Sequence, residues 1–313
     1  MKWLVLIVIS LIFSYTTSAT PITSHSIIDG QELDDLKVHA KYASAAYCPQ
    51  TQLTDWSCGE SCVGRLNVTS YFTNVTTGIA GYIGYSNEDK KIVVSFRGSS
   101  NWSNWAKNME FLPRTFVYPM ANEDVQVHSG FYATYASVES TVRAELKLVL
   151  ALLQNHTDTY KLIITGHSLG GAVATFCAMD IKRSYLNPKS KRSFESELQI
   201  IDSSQIYLHT YGQPRAGNLH FSQLVHKTFA LNSTSTTLAR ITNKGDPVTR
   251  LPPRKMGYLH HPHEIYIRHD NTTVSCQDTV DNKVNEDPSC ILGVLLPINY
   301  REHSNYWDVT FGC

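Results

Sequence analysis

The stretch Leu162-Ile163-Ile164-Thr165-Gly166-His167-Ser168-Leu169-Gly170-Gly171 decides the fold. Its first half is a short apolar run that predicts a strand. Behind it Ala172, Val173, Phe176, Met179 and Ile181 predict a helix. Between the two sits Gly-His-Ser-Leu-Gly, a serine on a sharp strand-to-helix turn. Such a turn strains the serine backbone, so the residues two positions either side must lack side chains that would clash. Gly166 and Gly170 meet that demand, and Gly171 lets the helix pack close to the sheet. The helix N-terminus aims partial positive charge and unpaired N–H groups at the same point. Ser168 is therefore the candidate nucleophile, with its hydroxyl expected to project into solvent or substrate. The bland alternative is a tight turn in some other α/β domain.

Outward from this turn, Lys91–Phe96 reads as a buried strand ending in Arg97-Gly98-Ser99-Ser100. Ile206–Tyr211 is a second, ending in Gly212, and Thr237–Thr242 a third, closing on Asn243-Lys244-Gly245-Asp246-Pro247. Helical spacing marks residues 31–47, the run from Val138 to Leu153, and residues 219–230. Residues 48–66 read as a cysteine-bearing loop and Tyr71–Tyr85 as strands with Gly-rich turns. Strands alternating with helices predict an α/β fold with a mostly parallel central sheet and helices on both faces. No internal repeat or long linker occurs, so residues 20–313 are expected to form one domain.

Met1-Lys2-Trp3, the apolar run Leu4–Phe13 and the small, polar Ser14–Ala19 read as a secretory signal peptide over residues 1–19. An exported, extracellular protein follows. Lys plus Arg equals Asp plus Glu at 27 each, a balance that gives no sign of a nucleic-acid partner. The seven cysteines leave one over. Cys177 lies in the apolar helix after the turn and is expected to be a free, buried thiol. Cys58 and Cys62 are close enough in sequence to bridge, Cys276 and Cys290 bracket a polar loop, and Cys48 and Cys313 pair by elimination. Six Asn-x-Ser/Thr sequons, at Asn67, Asn74, Asn101, Asn155, Asn232 and Asn271, are glycosylation candidates that agree with export.

A serine nucleophile needs a base, and the base an orienting acid. On a sheet of this kind they follow in the order Ser, Asp or Glu, His, each after a strand. Asp246 fits that position; Asp202 precedes its strand, and Asp270 sits in a sequon-bearing loop. His260, His261, His263, His269 and His303 are candidates for the base. The first three invite a metal-binding reading but lack the i, i+4 spacing of a helical site, so no metal is expected. His303, in Arg301-Glu302-His303-Ser304-Asn305-Tyr306, is the better base. His167 should point away from the turn into packing or hydrogen bonding. His128 should support the site from behind, and Arg97 and Arg215 should hold loops.

Phe96-Arg97-Gly98-Ser99, His128-Ser129-Gly130-Phe131, Gly166–Gly171, Tyr211-Gly212-Gln213-Pro214-Arg215, Asp246-Pro247 with Leu251-Pro252-Pro253, and the late His303 with Tyr306 stand in this order along the chain. Together, over residues 30–313, they resemble the class 3, fungal-type secreted lipases of the Rhizomucor and Thermomyces kind. The resemblance implies the α/β-hydrolase fold, ester hydrolysis without a cofactor, and the triad Ser168, Asp246 and His303. It also implies oxyanion-hole N–H groups from Ser99 and Leu169, and the same three bridges. The expected activity is that of a triacylglycerol lipase at a lipid–water interface. A phospholipase A1 or feruloyl-type esterase is the alternative, and a non-catalytic lipid carrier a more distant one. Trp102, Trp105 and Met109 would share one face of a short helix beside Ser99, with Asn101, Asn104, Lys107 and Asn108 largely on the other. That pattern predicts a lid over the cleft, against the alternative of a fixed surface helix. Peripheral contact with a lipid surface is expected, and no obligate protein partner.

Overall fold

The computed structural model describes residues 25–99, 115–118, 121, 124–154, 158–186, 200–230, 237–278, 286–295 and 297–313. The expected leader, the lid residues Trp102, Trp105 and Met109, and the sequons at Asn101, Asn155 and Asn232 lie outside them. A nine-stranded sheet organises the chain. Its strands are β1 (Ser26–Ile27), β2 (Asn67–Asn74), β3 (Ile79–Ser86), β4 (Lys91–Phe96), β5 (Lys161–His167), β6 (Ile206–Tyr211), β7 (Leu238–Asn243), β8 (Glu264–Ile267) and β9 (Thr273–Ser275). Their order across the sheet is β1-β9-β8-β7-β6-β5-β4-β3-β2. Strands β4 to β8 are parallel, and the antiparallel strands flank them on both sides.

The helices α1 (Gly30–Ala45), α2 (Ser129–Ala136), α3 (Glu139–Leu153), α4 (Leu169–Leu186) and α5 (Leu219–Ala230) complete the frame. Alternation along β5 shows how both faces of the sheet are covered. Leu162 and Ile164 pack with Val142, Leu146 and Leu150 of α3 and Val173 and Phe176 of α4. Ile163, between them, packs with Tyr42 and Ala45 of α1 and Leu53. A strand buried on both faces has no polar side, which is why its sequence is a continuous apolar run. Each such Leu or Ile contributes about 1.5–3 kcal/mol by leaving water.

The register brings four strand ends to one edge. Phe96 pairs with Gly166, His167 with Tyr211, and Tyr211 with Ile241. The loops that follow β4, β5, β6 and β7 therefore open on the same side, where ligands of parallel sheets bind.

The segment read as a loop over residues 48–66 carries a short helix at Gln50–Thr54 and a 3-10 turn at Gly59–Ser61. Tyr71–Tyr85 falls within the antiparallel pair β2–β3. Disulfides join Cys48 to Cys313, Cys58 to Cys62 and Cys276 to Cys290. Cys177 is a free thiol with no exposure in α4, and burial pushes its pKa up. Asn67 and Asn271 are exposed, while Asn74 is half-buried and its Oδ1 accepts from the N–H groups of Thr76 and Thr77. No described helix is long and apolar enough to cross a membrane.

Candidate active site

Ser168 sits between β5 and α4 with φ of 58°, the left-handed strain its turn demands. A Cβ on Gly166 would collide with the Gly170 carbonyl, and one on Gly170 with the Phe96 carbonyl. The Ser168 N–H is anchored on the carbonyl of Tyr211 at 2.8 Å. Contrary to expectation, the hydroxyl does not project into solvent. Ser168 has no exposed surface, and among the described residues its Oγ has no hydrogen-bond partner. An unpaired buried hydroxyl costs about 1–3 kcal/mol, so its placement is not a contribution to stability.

The β7 loop brings Asp246 and the short helix Tyr300–Ser304 brings His303. His303 Nδ1 lies 2.9 Å from Asp246 Oδ2, and both residues are fully buried. The same Oδ2 accepts from the Tyr306 hydroxyl at 2.6 Å, and Oδ1 accepts from the Val248 N–H at 2.9 Å. Burial and the neighbouring Asp246 push the Tyr306 pKa well up, so its hydroxyl stays a donor. The two carboxylates weighed as alternatives are used locally: Asp202 accepts from the N–H of Ser204, and Asp270 from Thr272.

Two residues that hold the base were not singled out for that role in the sequence. Tyr306 is one; its only signal is its place three residues after His303. Asn243, the last residue of β7, is the other. Its Nδ2 donates to the Glu302 carbonyl at 3.0 Å, to Glu302 Oε2 at 3.1 Å and to the Asn305 carbonyl at 2.5 Å. The base segment is thus sewn to the strand that carries the acid.

Gly98 brings the β4 loop against the turn, since a Cβ there would stand 2.9 Å from that of Ser168. Ser99 follows it, half-buried, and Leu169 lies buried at the first turn of α4. Arg97 donates to the Gly78 carbonyl at 3.0 Å. Arg215 makes a two-bond pair with Glu286 at 2.7 and 2.6 Å and donates to the carbonyls of Arg250 and Pro252. Both arginines hold loops, as expected. His128 caps α2, accepting from the Phe131 N–H at 3.3 Å, and stacks on the Phe131 ring.

The histidine-rich stretch disperses. His260 bonds the Thr249 carbonyl, His261 the Pro262 carbonyl, and His263 stacks on His226. Burial lowers the pKa of His260 and takes that of His261 down to about 3, so both are neutral. A cavity of about 210 Å³ lies under α1, lined by Leu36, His39, Tyr207, Ile265, Lys91 and Lys161. Lys91 and Lys161 begin β4 and β5, so this cavity is at the opposite end of the sheet from Ser168 and holds none of the three candidate catalytic residues.

A strained serine between a parallel strand and a helix, with a buried His–Asp pair whose acid follows another parallel strand and whose base lies on a short helix, places the chain in the α/β-hydrolase class. Comparison narrows this. The model of the class 3 lipase family matches residues 93–256. The chain is 30% identical over 294 residues to the secreted mono- and diacylglycerol lipase A of Penicillium cyclopium, covering 90% of this chain and 86% of that one. It is 28% identical over 287 residues to a lipase of Rhizomucor miehei, covering 90% and 70%. The solved structure of the Rhizomucor miehei triacylglyceride lipase superposes with a TM-score of 0.75 at 26% identity, over 92% of this chain and 99% of that one. The chain belongs to the class 3 lipases, a family of carboxylic-ester hydrolases.

Proposed function

We propose that the protein is a secreted triacylglycerol lipase whose catalytic residues are Ser168, His303 and Asp246. The observation that carries this is the fully buried His303–Asp246 pair at 2.9 Å beside a serine held at φ of 58°. His303 Nε2 takes the proton of Ser168 as Oγ attacks the ester carbonyl. Asp246 keeps the hydrogen on Nδ1 and steadies the imidazolium. The N–H groups of Ser99 and Leu169 receive the oxyanion, each lowering the barrier by about 3 kcal/mol. His303 then returns the proton to the leaving alcohol, and water, activated in the same way, releases the fatty acid. Tyr306 and Val248 also donate to Asp246, an environment that suits a carboxylate accepting from His303. The cysteine pairing and the leader-like residues 1–19 support action outside the cell.

A second substrate reading, mono- and diacylglycerol, draws support from the Penicillium relative. Product analysis on triolein, diolein and phosphatidylcholine, side by side, separates the readings. Diolein released from triolein supports the triacylglycerol reading. Cleavage of diolein with triolein untouched supports the second, and lysophospholipid as the main product would replace both. Ser168→Ala should abolish every product; residual activity at the wild-type level would sink the assignment of the nucleophile.

A further inference from the structure

Within the site proposed above, the hydrogen bonds inside the triad connect His303 to Asp246 but nothing in them fixes the β4 loop relative to the base. A separate chain of bonds on the other side of the turn does. Alternation along β5 turns His167 to the α1 face, away from Ser168. There its ring lies flat on Phe311, centroids 4.0 Å apart. Tyr47, just past the end of α1, places its hydroxyl 2.7 Å from His167 Nδ1. The Gly98 N–H points at the same hydroxyl oxygen at 3.1 Å. His167 Nε2 lies 2.7 Å from the backbone carbonyl of His303.

On a neutral ring only one assignment of hydrogens satisfies all three contacts. The His303 carbonyl can only accept, so the ring hydrogen sits on His167 Nε2. Nδ1 is then an acceptor and takes the Tyr47 hydrogen, while the Tyr47 oxygen accepts from the Gly98 N–H. Burial keeps this arrangement in place: it pushes the Tyr47 pKa up and, with the neighbouring His303, the His167 pKa down. Gly98 is seated directly on the hydroxyl, since a Cβ there would collide with it. The disulfide Cys48–Cys313 begins one residue after Tyr47 and ends two residues after Phe311, closing the frame around the strut.

We infer that Tyr47 and His167 are positioning residues, a hydrogen-bonded strut that fixes the spacing between the oxyanion loop at Gly98-Ser99 and the base at His303. The inference rests on the triad reading above. Misplacement of a reacting group by about 1 Å can cost roughly a hundredfold in rate, so a strut of this kind acts on turnover more than on substrate binding.

The test uses Tyr47→Phe, His167→Gln and the double variant, with Ser168→Ala as control. His167→Gln can still donate from its amide to the His303 carbonyl. Rates are measured on dissolved p-nitrophenyl butyrate, and folded sites are counted by titrating Ser168 with a phosphonate. Tyr47→Phe should lower kcat by about tenfold with KM within about twofold and every serine still titratable. The double variant should be no slower than the slower single variant, because both changes cut one strut. Wild-type kcat in Tyr47→Phe overturns the inference. So does a rate loss matched by loss of titratable serine, which is a folding effect, and so does full additivity of the two changes. Activity surviving in Ser168→Ala would instead overturn the triad reading beneath it.

Discussion

Asn243→Ala isolates what holds the base in place. The three neighbours of Nδ2 are two carbonyls and a carboxylate, all acceptors, so the amide orientation is dictated by its surroundings. The alanine leaves the carbonyls of Glu302 and Asn305 without that donor, at about 1–3 kcal/mol for each that stays dry. Two facts reduce the total. Asn305 is exposed, so its carbonyl can take up water, and the buried Oδ1 of Asn243 has no partner among the described residues, so its removal is a gain. The net loss is about 2 kcal/mol, which for a domain of this length is a fall in Tm of roughly 3 °C. The same bonds set where the helix carrying His303 sits. Turnover of a dissolved ester should therefore fall roughly 10- to 100-fold with KM little changed. Asn243→Asp should be worse than alanine on both counts, since it places a carboxylate against three acceptors, one of them the Glu302 carboxylate. The assay pairs thermal melting with kcat and KM on p-nitrophenyl butyrate at 25 °C. An Asn243→Ala protein with a lowered Tm and wild-type kcat would refute the link from this side chain to the base. Asp tolerated better than Ala would refute the donor assignment.

Cys177 should react with a thiol reagent only after unfolding, one thiol per chain without reductant; mass analysis of the labelled protein reads this. Buried His39, His167, His260 and His261 all have pKa values lowered first by burial, below their unfolded value near 6.5. Their contribution to stability is complete above about pH 6.5 and is lost as pH falls toward the folded values, at up to about 1.4 kcal/mol per histidine per pH unit; urea midpoints that stay flat from pH 7 to 5 would contradict it. Burial would raise the Glu286 pKa, but the hydrogen bonds and charge of Arg215, with nearby His260 and Arg240, hold it well below the usual carboxylate value near 4.3. Its contribution is thus present above about pH 4.3 and lost below, and Glu286→Gln should flatten the fall in Tm on the acid side of that value while lowering Tm at pH 7. Trp105→Ser, from the two-faced spacing of residues 102–109 alone, should cut the rate on emulsified tributyrin far more than on a dissolved ester; a smooth curve through the solubility limit for both proteins would count against a lid.

The centre of the fold was legible because it is over-specified. The adjacent strands β4 and β5, buried on both faces, carry continuous apolar centres, and a strained serine between strand and helix requires glycines at Gly166 and Gly170. The edge was not. Strands β8 and β9 span only Glu264–Ile267 and Thr273–Ser275 and follow a histidine-rich stretch, and β8 begins with the buried carboxyl group of Glu264, whose pKa burial pushes up to about 7 and which meets Arg240 and Thr242. A buried carboxyl group in a strand hides the apolar signal while its partners, distant in sequence, make it tolerable. The site divides in the same way. Ser168, Asp246 and His303 follow from residue type, order and position after strands. The burial of Ser168, and the roles of Asn243, Tyr306 and Tyr47, depend on contacts between residues 47, 98, 167, 243 and 303, which no local pattern encodes.

The base sits in the least self-sufficient part of the molecule. His303 belongs to a five-residue helix, and among the described residues the strands after it, Asn305–Tyr306 and Val309–Thr310, pair with each other and not with the nine-stranded sheet. A segment of that size cannot order itself. Its position is imposed from three sides: by Asn243 of β7, by His167 of β5 through the His303 carbonyl, and by the bond from Cys313 to Cys48 after α1. The last closes a loop with a sequence separation of 265 residues, for which the chain-entropy model allows roughly 5 kcal/mol or a little more. Tyr306 and Phe311 turn the tether into a precise seat, the first by bonding the acid and the second by stacking on His167. The same few residues that close the fold therefore complete the candidate catalytic geometry. Loosening the chain end should cost turnover before it costs the sheet, because β4 to β7 are held by their own registers and cores while His303 is held only by what it touches.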